Sequence, residues 1–112
     1  MGKGENQMPK FALVYHGNPQ FKTKEDGANH MVAWKQWVAG LGDALVDPGM
    51  AVGPSKTISS TGVEDSGGSN PASGITVIQA DTMEAAIGLA RACPHIDAGG
   101  TIEIAQDLQL AM

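Results

Sequence analysis

The sequence predicts an α+β fold in one domain, with the element order β-α-β-β-α-β. Two observations support this prediction. Stretches in which polar and apolar residues alternate are separated by two stretches in which apolar residues recur at helical spacing. The 112 residues suffice for one domain with a modest core. We expect residues 9–112 to form this domain and residues 1–8 to be a disordered lead or a remnant of cloning.

The first two elements follow from a change of period in the sequence. Alternating aromatic and branched residues over Lys10–His16 predict a strand that is apolar on both faces. From about Asn29 to Leu41 the apolar residues recur at helical spacing, so we expect a helix with Asn29 as its N-cap. The apolar arc of this helix comprises Met31, Trp34, Trp37, Val38 and Leu41.

The middle of the chain predicts two further strands joined by a long connection. The second strand begins at Ala44–Val46, bends at Pro48-Gly49 and resumes toward Thr57-Ile58. Small and polar residues dominate positions 59–73, so we expect a long, mobile hairpin loop there. The third strand is predicted at Gly74–Ala80, again with apolar residues on both faces.

One more helix and one more strand complete the order. Asp81 and Glu84 have the spacing of an N-terminal capping pair, so a helix is predicted from them to about Ala92. Gly99-Gly100 then leads into a strand at Thr101–Gln106. The side chains expected to be buried on this helix are Met83, Ala86, Ile87 and Ala90.

This element order is that of the ferredoxin-like plait, in which two helices cover one face of a four-stranded antiparallel sheet. The first and third strands are apolar on both faces, whereas a sheet face in contact with water carries polar residues. The second face therefore needs a cover, and the chain has no further element to provide it. A second copy of the chain is the simplest cover. We expect a homodimer with its two sheets face to face.

Composition argues against several kinds of partner. Seven Lys and Arg against twelve Asp and Glu give a net charge of −5, and the positive residues are scattered. Nucleic acid, which needs a basic face, is therefore not expected as a partner. No apolar run is long enough to span a membrane. The one cysteine, Cys93, suits the cytoplasm, and we expect a small buried side chain rather than a reactive thiol.

His30 is the strongest candidate for chemistry. On a helical wheel it falls within the apolar arc of the first helix, so its ring should face the sheet and be partly desolvated. One interpretation is a catalytic general acid or base, with Asp43 orienting the imidazole. The other is a structural histidine that is hydrogen-bonded at the helix start. Asp47, the other nearby carboxylate, precedes Pro48-Gly49 and is typical of a turn.

Five further residues are candidates for contacting a substrate in a cleft. Tyr15 and Trp34 would supply apolar wall. His16 ends the first strand, where it either lines the cleft or is solvated. His95 and Asp97 follow the second helix and lie at the cleft rim or face water. The histidines lack the short spacing of a metal site, and no glycine motif for phosphate is present, so we expect neither metal nor cofactor.

Three segments together resemble the YCII-related family, and they are His30–Trp34, Leu41–Gly49 and Cys93–Ile104. The resemblance extends over positions 8–106. It implies a ferredoxin-like dimeric α+β barrel. It also implies a histidine at the start of the first helix, matched by His30, and a partner aspartate, for which Asp43 is the closest match by position.

One motif typical of the family is missing. Many relatives have Asp-Gly-Pro-Phe before the third strand, where this chain has Asp65–Pro71. The resemblance implies an unknown small-molecule ligand and, for a few relatives, lyase or isomerase reactions on small ring compounds, dehydrochlorination among them. Other relatives are linked to transcription regulators. The alternative function is therefore a non-catalytic ligand-binding or regulatory dimer that acts through a protein partner.

Overall fold

The computed structural model describes residues 8–110 and has a mixed α+β fold. Four strands form an antiparallel sheet, three α-helices accompany it, and two short strands form a separate hairpin. Residues 1–7 of the predicted lead lie outside the described residues. The elements are β1 (Lys10–His16), α1 (Lys24–Leu41), β2 (Leu45–Ala51), β3 (Thr57–Ser59), β4 (Gly62–Glu64), β5 (Ala72–Gln79), α2 (Met83–Arg91), α3 (Pro94–Asp97) and β6 (Thr101–Gln106).

The four-stranded sheet has the order β2-β5-β1-β6, so β1 is hydrogen-bonded along both of its edges. Neighbouring strands are antiparallel throughout. Leu13 of β1 lies opposite Thr76 of β5 and opposite Ile104 of β6. Because directly opposed residues share a face of the sheet, this register gathers the inward side chains of three strands on one side.

The core lies between one face of the sheet and the helices. Phe11 and Leu13 of β1 and Ile78 of β5 are almost completely buried. They belong to the same buried cluster as Leu41 of α1 and Ala86 of α2, so both helices cover this face. The predicted alternation of β1 is confirmed, since its buried residues are Phe11, Leu13 and Tyr15.

The opposite face of the sheet, which we call the open face, is apolar at its centre. Ala12 lies opposite Val77, and Val14 lies opposite Ile75. These four side chains are half-buried or exposed, and they are not members of the core cluster. The open face thus has apolar residues although the helices pack on the other side.

Helix α1 begins earlier than the sequence predicts. Its N-cap is Thr23 rather than Asn29, and Oγ1 of Thr23 accepts a hydrogen bond from the amide of Asp26 at 3.0 Å. Glu25 and Asp26 lie in the first turn, where negative charge is favourable near the positive end of the helix dipole. His30 is therefore the seventh residue of α1, at the end of its second turn, and not at the helix start.

Helix α2 differs from the prediction in its cap and in one buried position. Thr82 is the N-cap, and its Oγ1 accepts a hydrogen bond from the amide of Ala85 at 3.1 Å. The predicted cap of Asp81 and Glu84 is therefore wrong. Ile87 is 37% exposed and does not belong to the buried side of α2. The other side chains expected there do pack in or against the core, and they are Met83, Ala86 and Ala90.

The long connection expected to be a loop contains a hairpin, β3–β4. Its strands pair only with each other, with Thr57 opposite Glu64 and Ile58 opposite Val63. A short turn allows these branched residues to pair although their surroundings in the sequence are polar. Ile58 is 79% exposed, so the hairpin has no share in the core.

Strand β2 continues through the Pro48-Gly49 bend, with irregular pairing to β5 between Asp47 and Met50. Gly49 has a φ of +73°, and a Cβ atom at this position would collide with the carbonyl oxygen of Ile75. Oδ1 of Asp47 accepts a hydrogen bond from the amide of Gly49 at 2.8 Å. Asp47 thus has the turn role that its sequence context predicts.

We expect Ile78→Val to lower the free energy of unfolding by about 0.5–1.5 kcal/mol, because it removes a methylene group from a fully buried site. Ile87→Val, on the exposed side of α2, is the matched control and should change this free energy by less than about 0.5 kcal/mol. Urea denaturation followed by circular dichroism measures both values. Equal losses for the two variants would contradict the location of the core.

Candidate functional site

A cavity of about 490 Å³ lies where the end of β1, helix α1 and the bend of β2 meet. Part of β5 and His95 of α3 complete its wall. Small-molecule sites in proteins typically have volumes of about 300–1,000 Å³. Among the described residues, no Asp, Glu, Lys or Arg lines this cavity. It is large enough for a ligand of several rings, and its wall is mostly apolar.

The cavity brings together four of the seven predicted site residues, which are Tyr15, His30, Trp34 and His95. They come from β1, α1 and α3, and they are far apart in the sequence. Three predicted site residues do not line the cavity, and they are His16, Asp43 and Asp97. The site is therefore a product of the tertiary fold rather than of one local motif.

Trp34 is the central ring of the cavity wall. Its ring centroid lies 5.2 Å from that of Tyr15, with an interplanar angle of 62°. The ring of His95 lies 6.3 Å away at 89°, and the ring of His30 lies 5.9 Å away at 48°. Phe21 extends this group, with its centroid 4.8 Å from that of His30. The aromatic rings thus form one continuous surface against which an apolar ligand can pack.

The hydroxyl of Tyr15 has a structural role in the cavity wall and does not take part in proton transfer. It donates a hydrogen bond of 2.8 Å to Oγ1 of Thr76, which in turn donates one of 3.1 Å to the carbonyl oxygen of Pro48. Burial raises the pKa of Tyr15 to about 12. The phenol is therefore neutral near neutral pH, and its proton already has an acceptor within the protein.

His95 is firmly held in the cavity wall. It is only 5% exposed, and its Nε2 lies 2.7 Å from the carbonyl oxygen of His16. Its ring lies against Gly100, where a Cβ atom would overlap the imidazole. The loop expected to leave His95 at a rim or in water is instead the short helix α3, which begins at Pro94 and holds His95 inward.

His30 lies in the cavity wall but has a looser environment. It is half-buried, and its contacts are the rings of Phe21 and Trp34. Asp43 lies in a 3-10 turn after the C-terminal end of α1. The helix separates His30 from Leu41 by about 16 Å along its axis, because each residue rises 1.5 Å. The structure therefore does not bring Asp43 to His30.

His16 points to the other side of the sheet. Its Nε2 lies 3.0 Å from Oε1 of Glu103, and its Nδ1 lies 2.9 Å from the carbonyl oxygen of Asn70. Both partners are acceptors, so a protonated ring satisfies both of them. The pKa of His16 is raised, mainly by the hydrogen bond to Glu103. Only the backbone of His16 contributes to the cavity, through its bond to His95. Asp97 is exposed on α3.

Cys93 is a buried side chain, as predicted, and is 1% exposed. Burial raises the pKa of its thiol to about 11, so the thiol is protonated near neutral pH. A thiolate is the nucleophilic form of cysteine. Cys93 therefore contributes packing beside α3 rather than reactivity.

Phe21 and Thr76 belong to the site although the sequence gives little reason to choose them. Phe21 lies in the loop before α1, and only the earlier start of that helix places it against His30. Thr76 lies on the helix-facing side of β5, where its polar group is buried by Tyr15. A buried polar residue in an apolar strand is the one signal that points to Thr76.

No protein-family model matches the chain, and no curated protein matches it either. In residues 8–110, no helix is long and apolar enough to cross a membrane. Within the same residues, no group of three or more His, Cys, Asp and Glu side chains is placed to hold a metal ion.

The stability of the protein should fall as the pH rises through the folded-state pKa of His16. The folded state raises this pKa above the unfolded value of about 6.5, so the stabilisation is fully present below that value and is lost above it. Urea denaturation across this pH range measures the effect, and an NMR titration of the ring gives its pKa. Glu103→Gln should lower the pKa of His16 and flatten the profile. An unchanged pKa in that variant would contradict the pairing.

Proposed function

We propose that this chain forms a homodimer of the YCII-related family and binds a small organic molecule in its cavity. The observation that carries this proposal is the convergence of Tyr15, His30, Trp34 and His95 on one cavity of about 490 Å³. A mostly apolar pocket with a few convergent polar groups is the usual form of a small-molecule site.

The strand order supports the ferredoxin-like part of the proposal. In the order β2-β5-β1-β6, the strands β1 and β2 lie on either side of β5 and are connected by α1. This order is the one expected of a split β-α-β plan, in which α2 would be the second crossover, between β5 and β6. The hairpin β3–β4 is an insertion between the second and third strands of that plan.

The open face supports the homodimer and hence a dimeric α+β barrel. Val14, Ile75 and Val77 form an apolar centre, and His16 and Glu103 form a polar pair beside it. The molecule measures only 19 Å along its shortest axis, compared with 51 and 43 Å along the others. A thin molecule with an apolar flat side gains by packing that side against a second copy of itself.

In the enzymatic form of the proposal, His30 acts as a general acid and base in an isomerisation or an elimination. In an isomerisation, neutral imidazole takes a proton from one carbon atom of the substrate and returns it to another. In an elimination, imidazole takes the proton, the C–H electron pair forms the new double bond, and the leaving group departs from the neighbouring carbon with its bonding electrons. Tyr15 and Trp34 provide the apolar wall that holds the substrate beside it. No carboxylate of the described residues lines the cavity, so His30 performs this step without the partner that Asp43 was expected to be.

The alternative is a non-catalytic dimer that binds a ligand and regulates a protein partner. The looser environment of His30 favours this alternative, because a catalytic imidazole is usually oriented by a hydrogen bond. The described residues offer no such bond to His30, whereas they do so for His95. In either form we place the protein in the cytoplasm, where the single thiol of Cys93 stays reduced.

Ligand binding in the cavity can be tested with two neighbouring residues of α1. Met31 lines the cavity, whereas Val32 does not, and they are 51% and 54% exposed. Compounds of a metabolite library that raise the melting temperature of the wild-type protein identify ligands. We expect Met31→Trp to weaken their binding at least about tenfold, because it fills the cavity. Val32→Trp, the matched control, should bind them as wild type does.

Equal binding by both tryptophan variants would contradict a ligand site in the cavity. For a ligand that is converted, His30→Ala separates the two forms of the proposal. Loss of turnover by about 10²–10⁴-fold, with binding retained, supports the enzyme. Unchanged turnover would exclude His30 as the acid or base. A ligand that is bound but never converted supports the regulatory form.

The homodimer can be tested by placing a charge on the open face. Val14→Lys puts an ammonium group at the centre of this face, directly opposite Glu103, which can pair with it in a separate subunit. We expect this variant to be monomeric in sedimentation at concentrations where the wild type is dimeric. Ile87→Lys, on the exposed side of α2, is the control and should remain dimeric. A monomeric wild type would overturn the proposed dimer.

A further inference from the structure

We propose that the ligand of the cavity is a neutral aromatic molecule that donates a hydrogen bond, such as a phenol, an enol or a ring N–H, to Nδ1 of His95. This inference rests on the proposed function and names the ligand class for the same cavity. It also gives His95 the role of the residue that selects the ligand. Three independent features of the cavity support it.

The first feature is the lack of formal charge. The polar side chains of the wall are hydroxyl, amide and imidazole groups, and no carboxylate, ammonium or guanidinium group of the described residues lines it. A charged ligand that leaves water for such a site loses its hydration, and no permanently charged side chain of the wall compensates that loss. A neutral ligand has no such cost, so the cavity discriminates against carboxylates, phosphates and ammonium ions.

The second feature is the aromatic wall around Trp34. Tyr15 and His95 meet its ring edge-on, at 5.2 and 6.3 Å between centroids. His30 and Phe21 continue the wall at tilted angles. Tyr15, Trp34 and His95 pack against one another and have few rotamers left, so a planar ligand can be bound there with little further ordering. A flat aromatic molecule gains the most from such a surface.

The third feature is the fixed tautomer of His95. The carbonyl oxygen of His16 can only accept, so Nε2 of His95, at 2.7 Å, carries the hydrogen. In the neutral ring, Nδ1 is then the acceptor. Gly100 maintains this geometry, because its amide donates a hydrogen bond of 2.9 Å to the carbonyl oxygen of His95, and because any larger residue would displace the ring.

Nδ1 of His95 is left for the ligand. Among the described residues no side chain or amide donates to it, and in that part of the chain no fully buried side-chain nitrogen or oxygen lacks a partner. Nδ1 is therefore not fully enclosed by protein atoms. Because the ring of His95 lines the cavity, we infer that Nδ1 is accessible from the cavity. A ligand O–H or N–H that reaches this lone pair completes the hydrogen bonding of the imidazole.

Three naphthalenes test this inference, and they are 2-naphthol, 2-methoxynaphthalene and 2-naphthoate. They share a ring system. The first donates a hydrogen bond, the second has no donor, and the third carries a negative charge. We expect the wild-type protein to bind 2-naphthol about tenfold more tightly than the other two, as measured by titration in ¹H–¹⁵N NMR spectra. Tenfold corresponds to about one well-formed hydrogen bond.

His95→Phe is the decisive variant, because phenylalanine keeps an aromatic ring in the cavity wall but has no acceptor in place of Nδ1. We expect it to bind 2-naphthol and 2-methoxynaphthalene equally within about twofold. His30→Phe removes the other imidazole of the cavity wall, and whatever its effect on overall affinity it should retain the preference for 2-naphthol over the ether. The ¹⁵N shift of Nδ1 of His95 in the wild-type protein provides a second measurement, since it should move upfield when 2-naphthol binds. That measurement needs no variant to fold.

Several outcomes would overturn the inference. Tightest binding of 2-naphthoate would exclude a neutral ligand, and equal binding of naphthol and its ether by the wild type would exclude the hydrogen bond. A preference that survives His95→Phe but disappears in His30→Phe would assign the contact to the other histidine. If no naphthalene binds, but other compounds bind to the wild type and to Val32→Trp more tightly than to Met31→Trp, the proposed ligand class is wrong and the cavity is still a ligand site. If nothing binds, both proposals fail.

Discussion

Strand β1 is hydrogen-bonded along both edges, and its pleat decides on which side of the sheet each functional group lies. Its inward residues form the centre of the core and end at Tyr15, which is the floor of the cavity. Its outward residues form the centre of the open face and end at His16. Because the side-chain period of a strand is two, a slip of one residue would exchange these roles completely. The cavity and the open face therefore depend on one register.

Much of the fold can be predicted from the sequence, because its apolar residues recur with the short periods of strands and helices. The alternation of Lys10–His16 and of β5 gives both the strands and their two apolar faces. Helix starts are predicted less well, since more than one residue near the start of α1 is able to cap it. Thr23 and Asn29 are both good N-caps, and the acidic residues after Thr23 favour the earlier one. The hairpin β3–β4 has too few apolar residues to stand out.

The candidate site was predictable in its members more than in its arrangement. Trp34 and Tyr15 follow from the apolar sides of their elements, and both line the cavity. The inward position of His95 depends on the short helix α3. A proline followed by three residues of mixed polarity occurs in loops as well as in short helices, so the sequence does not predict this helix. The predicted pairing of Asp43 with His30 fails because the C-terminal part of α1 lies between the two residues and separates them. Distances across a fold are not contained in sequence spacing.

His16 has contacts on both sides of the sheet at the same time. Its carbonyl oxygen holds the imidazole of His95 in the cavity, and its own ring binds Glu103 and Asn70 on the opposite side. His16, at the end of β1, therefore has contacts both in the cavity and on the open face. The carbonyl group and the ring of His16 are both attached at one Cα atom, so a displacement of this atom moves the hydrogen-bond partner of His95 and the partner of Glu103 together.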